Sequence, residues 1–213
     1  MAPSEIHDLR IQTERYHLED GLTELVGGFY LLLMGTVILG PSVVGITVPI
    51  LLRVLVLISP PLLFGPLMRW LKTRYTYPRI GFIAPRAFKH NMDMLIGIGL
   101  FVMVNAVIMA IFILLSPPNA LLLVNVWLIA VVGISLMFGC GFMVYRYQLQ
   151  RFWILAALCP VWAVVSLGAF ALFALPDGAS FLLFIILLSV SFISSGVATF
   201  WRYLREYTYP VKE

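Results

Sequence analysis

Few side chains in this chain have the chemistry to bind or turn over anything, and most of those lie in or beside long apolar runs. Two carboxylates open the first run, in Asp20-Gly21-Leu22-Thr23-Glu24. Asp20 is a good helix N-cap, and Glu24 lies one turn further in, so both face the positive end of a helix dipole. They read structurally as a cap and partners for a basic loop. Read functionally, Glu24 holds a cation or a proton, because a carboxylate inside a membrane span is a functional candidate by default. Arg53 lies about one turn inside the next run, where arginine can snorkel to headgroups. Glu24 and Arg53 belong near opposite faces and are not expected to pair. Pro60-Pro61 should kink or break the helix that carries Arg53, and freed carbonyls there would line a cavity, as in transporters with broken helices. Asn105 falls mid-run and needs a partner across helices, since an unpaired amide in hydrocarbon is costly. Glu24, Arg53, Pro60 and Asn105 therefore form the candidate solute or ion site. Ser191, Ser195 and Thr199 recur every four residues with Gly196 beside them. That spacing allows close helix packing, and a polar pore lining has the same pattern.

Catalytic chemistry has no foothold in the sequence. His7, His17 and His90 lie outside the apolar runs and show no helical metal spacing. Cys140 and Cys159 read as small buried side chains. There is no G-x-S-x-G, phosphate loop or H-E-x-x-H, and no acidic cluster to hold a metal over a lipid phosphate. The expectation is no enzyme, no catalytic residue, no cofactor and no metal.

The elements that must position these residues follow from composition. Of the 213 residues, 62% are apolar and 11% charged, with mean hydropathy +1.00. A water-soluble fold of this size lacks the interior to hide so much apolar surface. That excludes a soluble enzyme, a nucleic-acid reader and a disordered chain. Charge-free runs cover 25–52, 54–68, 94–145, 152–176 and 178–201. A spanning helix needs about 20 apolar residues to cross roughly 30 Å of hydrocarbon. Pro41, Ser116-Pro117-Pro118-Asn119 and Pro176-Asp177-Gly178 divide the runs. Six spans result, at about 21–40, 49–68, 94–115, 120–144, 153–175 and 179–201. The fold class expected is an all-α integral membrane protein of six transmembrane helices in three hairpins, with a parallel internal repeat. One membrane domain covers 1–213, with a tail at 1–20, hairpins at 21–68, 94–144 and 145–204, a basic loop at 69–93 and a tail at 205–213.

Thirteen of the fourteen Lys and Arg residues fall in 1–20, 69–93, 146–151 and 202–213. All four segments lie on one side of a six-span chain. The positive-inside rule then puts both termini in the cytoplasm. Loop 69–93 interleaves its cations with aromatics, which suits anionic lipid headgroups and needs no nucleic acid.

Tyr75-Thr76-Tyr77-Pro78 recurs as Tyr207-Thr208-Tyr209-Pro210, and Arg15-Tyr16-His17-Leu18 resembles Arg146-Tyr147-Gln148-Leu149. Hairpins 15–78 and 146–210 thus read as parallel copies, with 94–144 as a diverged third. Aromatics and Arg collecting at the inner interface would also produce such matches. Glu19-Asp20 aligns with Gln150-Arg151, and Arg74 with Glu206, so acid faces base between copies. Asp20, Arg74, Arg151 and Glu206 are therefore the expected charge contacts at the inner face.

Leu18-Glu19-Asp20-Gly21-Leu22-Thr23-Glu24 and Arg74-Tyr75-Thr76-Tyr77-Pro78-Arg79-Ile80-Gly81-Phe82 are similar to segments of a group of prokaryotic multi-span membrane proteins without assigned activity. The resemblance covers about the first 90 residues. It implies a prokaryotic inner membrane and carries over no functional residue. The reading is a non-enzymatic membrane subunit that contacts copies of itself or other subunits, with a small-solute transporter or channel as the alternative.

Overall fold

The computed structural model describes residues 18–46, 49–77, 121–173, 175, 176 and 178–206. Expectations for the third span, 94–115, and for Asn105 lie outside these residues. So do most of loop 69–93 and the repeat segments at 15–17 and 207–210.

The described chain is helical throughout. The elements are α1 (Leu22–Ile38), a short α2 (Gly40–Val44), α3 (Ile50–Leu71), α4 (Leu121–Tyr147), α5 (Arg151–Phe173) and α6 (Ala179–Glu206). Three stretches are long and apolar enough to cross a bilayer: Val126–Tyr145, Arg151–Phe173 and Ala179–Glu206. Large apolar side chains such as Val164 and Leu172 on α5, and Phe138 on α4, face outward. Such a surface suits lipid as its solvent.

Each boundary has a local cause. Gly21 takes a left-handed conformation (φ 71°) and occupies the cap position before α1. Asp20, expected at that cap, lies one residue earlier and reaches round to accept the Leu22 N–H at 3.2 Å. Pro41, expected to divide the first two spans, instead stands in the first turn of α2, where its missing N–H costs nothing. The stop comes at Gly45, also left-handed (φ 76°). Pro49 caps α3 from outside, and the helix begins at Ile50.

The expected break at Pro60-Pro61 does not occur. α3 runs through both prolines from Ile50 to Leu71. Proline at 60 removes the N–H that would reach the Val56 carbonyl. The Ser59 hydroxyl donates to that same carbonyl at 2.9 Å. Side-chain hydroxyls of this kind let an apolar helix keep its proline.

α3 ends in a widened turn, Lys72–Thr76, in which the Tyr77 N–H reaches back five residues to the Lys72 carbonyl. The extra residue turns Lys72 and Thr76 together toward α1, and both are buried.

α1 packs most extensively on α6, α4 on α5, and α5 on α6, with α3 against α1. Glycine sets the α1–α6 contact. Gly21, Gly28 and Gly35 recur every seven residues along α1. A Cβ on Gly21 would lie 2.7 Å from the Gly196 carbonyl, and one on Gly28 would lie 2.8 Å from Ile193 Cγ1. A Cβ on Gly35 would lie 2.6 Å from Ile185 Cγ2. Partner numbers fall as α1 numbers rise, so the two helices run antiparallel with backbones nearly touching. Cys159, Phe184 and Leu188 form the centre of one core cluster with Ile129 and Ile185; Leu22, Val26 and Met68 form another. No α3–α5 contact occurs among the described elements.

These pairings gather the starts of α1 and α5 and the ends of α3, α4 and α6 at one end of the bundle. Every described Asp and Glu lies at that end, and so does every described Lys and Arg except Arg53.

Candidate functional site: the charged end of the bundle

Two carboxylates are buried at this end of the bundle. Asp20 is fully buried and Glu24 is 2% exposed. Burying a charge is unfavourable unless it is paired and hydrogen-bonded. Each carboxylate finds its partner on a different helix. Glu24 Oε1 accepts from Arg151 Nε at 2.7 Å. The same guanidinium donates through Nη1 to the Glu19 carbonyl at 3.3 Å, and through Nη2 to the Leu18 carbonyl. One side chain at the start of α5 thus grips both the first turn of α1 and the backbone leading into it. A planar guanidinium suits this task, because its fork offers several fixed N–H directions at once.

Asp20 ties the same region to α3. Its Oδ2 accepts from the Thr76 hydroxyl at 3.1 Å and lies 3.6 Å from Lys72 Nζ. The widened turn is what delivers both donors. Changing Thr76 to valine keeps the shape and removes the donor. We expect a loss of about 1.5–3 kcal/mol, the range for a hydrogen bond to a charged group, read as a lower unfolding temperature in mild detergent. Unchanged stability would mean that Lys72 and the Leu22 N–H hold Asp20 without Thr76.

Among the described residues the charges pair otherwise than the alignment of the two copies suggests. Arg151 meets Glu24 and the chain on either side of the Leu18–Glu19 bond, while the Asp20 side chain goes to α3. Arg74 and Glu206 are each held on their own stretch of chain. The Arg74 guanidinium lies 5.8 Å from the Trp70 ring centroid, and Glu206 accepts from Arg202 at 2.6 Å. Sequence alignment of the repeats matched residues by position; the actual partners depend on depth and rotation.

The remaining candidates are spread out. Arg53 is in the first turn of α3, at the opposite end from Glu24. Pro60 lies in the middle of the continuous α3. The structure therefore does not assemble Glu24, Arg53 and Pro60 into one site. On α6, Ser191 accepts from Trp162 Nε1 of α5 at 2.9 Å and itself donates to the Leu187 carbonyl. Thr199 and Gly196 lie against α1 at Gly21, and Ser195, just before Gly196, is half-buried. The small-residue stripe thus serves two neighbours, α5 above and α1 below. Cys140 and Cys159 are buried and free, and the Cys159 thiol donates to the Leu155 carbonyl. Among the described residues, no three His, Cys, Asp or Glu side chains converge as metal ligands do.

Sequence reasoning missed the seven-residue glycine spacing on α1 and the role of Ser59. Both were readable: Gly21, Gly28 and Gly35 recur every seven residues, and Ser59 directly precedes the proline pair.

A cavity of about 1020 Å³ opens beside this cluster, between the α4–α5 connection and the last turns of α6. Glu19, Gln148, Gln150, Arg151, Arg202 and Glu206 supply its polar wall, and Val144, Leu149 and Trp153 its apolar one. Gln148 holds a left-handed conformation (φ 54°) at the turn, which a non-glycine residue adopts only at some cost.

No family model, curated protein or solved structure matches the chain.

Proposed function

We propose that this is a non-enzymatic, six-span protein of a prokaryotic inner membrane, with both ends in the cytoplasm, acting as a membrane-embedded assembly subunit. The observation that carries the reading is the engagement of the buried charges with one another. Glu24, Arg151, Asp20, Lys72 and Thr76 join three helices at one end. A transport site needs groups that can exchange partners with a solute. The outward apolar surfaces of α4 and α5 are where lipid or another subunit would lie. The continuity of α3 withdraws the support that a Pro60-Pro61 break would have lent to a transporter.

The packing order also supports three parallel hairpins. α1, the first helix of hairpin one, packs on α6, the second of hairpin three. α5, the first of hairpin three, packs in the same manner on α4, the second of hairpin two.

The function itself is tested by purifying the chain from its native membrane in mild detergent and weighing the complex. A defined oligomer or a stoichiometric second membrane protein is the expected result. A monomer carrying a small polar solute would contradict the assembly reading.

A further inference from the structure

The cavity at the charged end lies where a bilayer interface would cut α4, α5 and α6, beside Trp153, which is 61% exposed. Exposed indoles at this level mark the headgroup layer. Its wall holds charges of both signs, with Arg151 and Arg202 facing Glu19 and Glu206. A purely anionic guest would meet carboxylates, and a purely cationic one guanidiniums. A guest carrying a phosphate and a protonated amine matches both.

The phosphate side is well furnished. A guanidinium has five N–H donors, and the three bonds of Arg151 to Glu24, Glu19 and Leu18 leave two. Arg202 uses its Nε on Glu206, which leaves both terminal nitrogens. The amine side is Glu206, whose carboxylate is half-exposed. A volume of about 1020 Å³ is at the upper end for small-molecule sites, about 300–1,000 Å³, and has room for a glycerophosphate with its headgroup.

We propose that this cavity binds the headgroup of a zwitterionic phospholipid whose amine bears hydrogens, with phosphate on Arg151 and Arg202 and ammonium on Glu206. Acyl chains then descend along Trp153 and the apolar outer face of α5. The site differs in chemistry from the basic loop 69–93, which suits anionic lipid.

The test uses the full chain, stripped of lipid in mild detergent, with phosphatidylethanolamine, phosphatidylglycerol or phosphatidylcholine added and occupancy read by native mass spectrometry. Phosphatidylethanolamine should be retained at least about fivefold better than the other two, since phosphatidylglycerol lacks the amine and the choline nitrogen has no N–H to donate. Arg202→Ala should lower that retention about tenfold, the loss of a charge-assisted contact. Glu206→Gln should erase the preference over phosphatidylglycerol. Arg202 and Glu206 form an exposed pair of little weight in stability, so both variants should unfold at the parental temperature. Soluble glycerophosphoethanolamine separates the sources. Competition by it at equal concentration would assign the same chemistry to a free metabolite, and its failure to compete assigns it to lipid. Equal retention of the three lipids, no retention, or a preference that survives both substitutions would overturn the proposal. The membrane reading does not depend on this outcome, because resistance of the chain to alkaline extraction tests it separately.

Discussion

Replacing Arg151 by alanine should destabilise the bundle by about 3–5 kcal/mol, the range for removing one partner of a buried ion pair. The alanine leaves Glu24 almost wholly buried without its cation, and leaves the Leu18 and Glu19 carbonyls without a donor. The protein carries its own reporter. Cys140 and Cys159 are buried and free, so a thiol-reactive fluorophore labels them only as the helices part. The labelling midpoint should fall steeply in Arg151→Ala. Arg151→Lys should recover part of the loss, because lysine supplies the charge without the fork that reaches two carbonyls. Glu24→Leu combined with Arg151→Met should be less harmful than the two single effects added, since no lone charge remains. Strict additivity would show that the two side chains do not act as a pair.

The second large effect is steric. A Cβ on Gly196 would lie 2.5 Å from the Leu25 nitrogen and 2.9 Å from the Gly21 carbonyl oxygen. Both obstacles are backbone, so no rotamer change relieves them. Gly196→Ala should cost about 1–3 kcal/mol, as over-packing does, and Gly196→Leu should force α1 off α6 and expose both cysteines. Gly168 on α5 provides the contrast, because a Cβ there meets nothing within 4 Å. Gly168→Ala should stabilise by about 0.5–1 kcal/mol through helix propensity alone. If Gly196→Ala and Gly168→Ala shift the labelling midpoint equally, the close approach of α1 and α6 does not exist in the membrane.

Part of this was legible in advance because the bilayer imposes lengths. The expected spans at 120–144 and 179–201 fall on α4 and α6. Clustering of cations at one end follows from their spacing along the chain. Partner choice was not legible for a physical reason. A helix that is apolar all round has no polar face to announce its orientation. Asp20 and Glu24 are four residues apart, about one helical turn, yet one turns to α3 and the other to α5. The proline break failed for a different reason. A rule built on soluble helices counts the lost N–H and overlooks the hydroxyl of Ser59 one residue away.

The central claim is that the helices cross a bilayer with their charged ends together, and sidedness tests it most directly. Cys140 and Cys159 are changed to serine, and single cysteines are placed at Gln150 and at Glu206, on the charged end, and at Gly45 and Gly178, on the other. Intact cells are then treated with a membrane-impermeant thiol reagent. Gly45 and Gly178 should label from outside, and Gln150 and Glu206 only after the membrane is opened. Labelling of Gln150 and Gly178 from the same side of a sealed membrane would contradict a spanning α5 and the arrangement built on it.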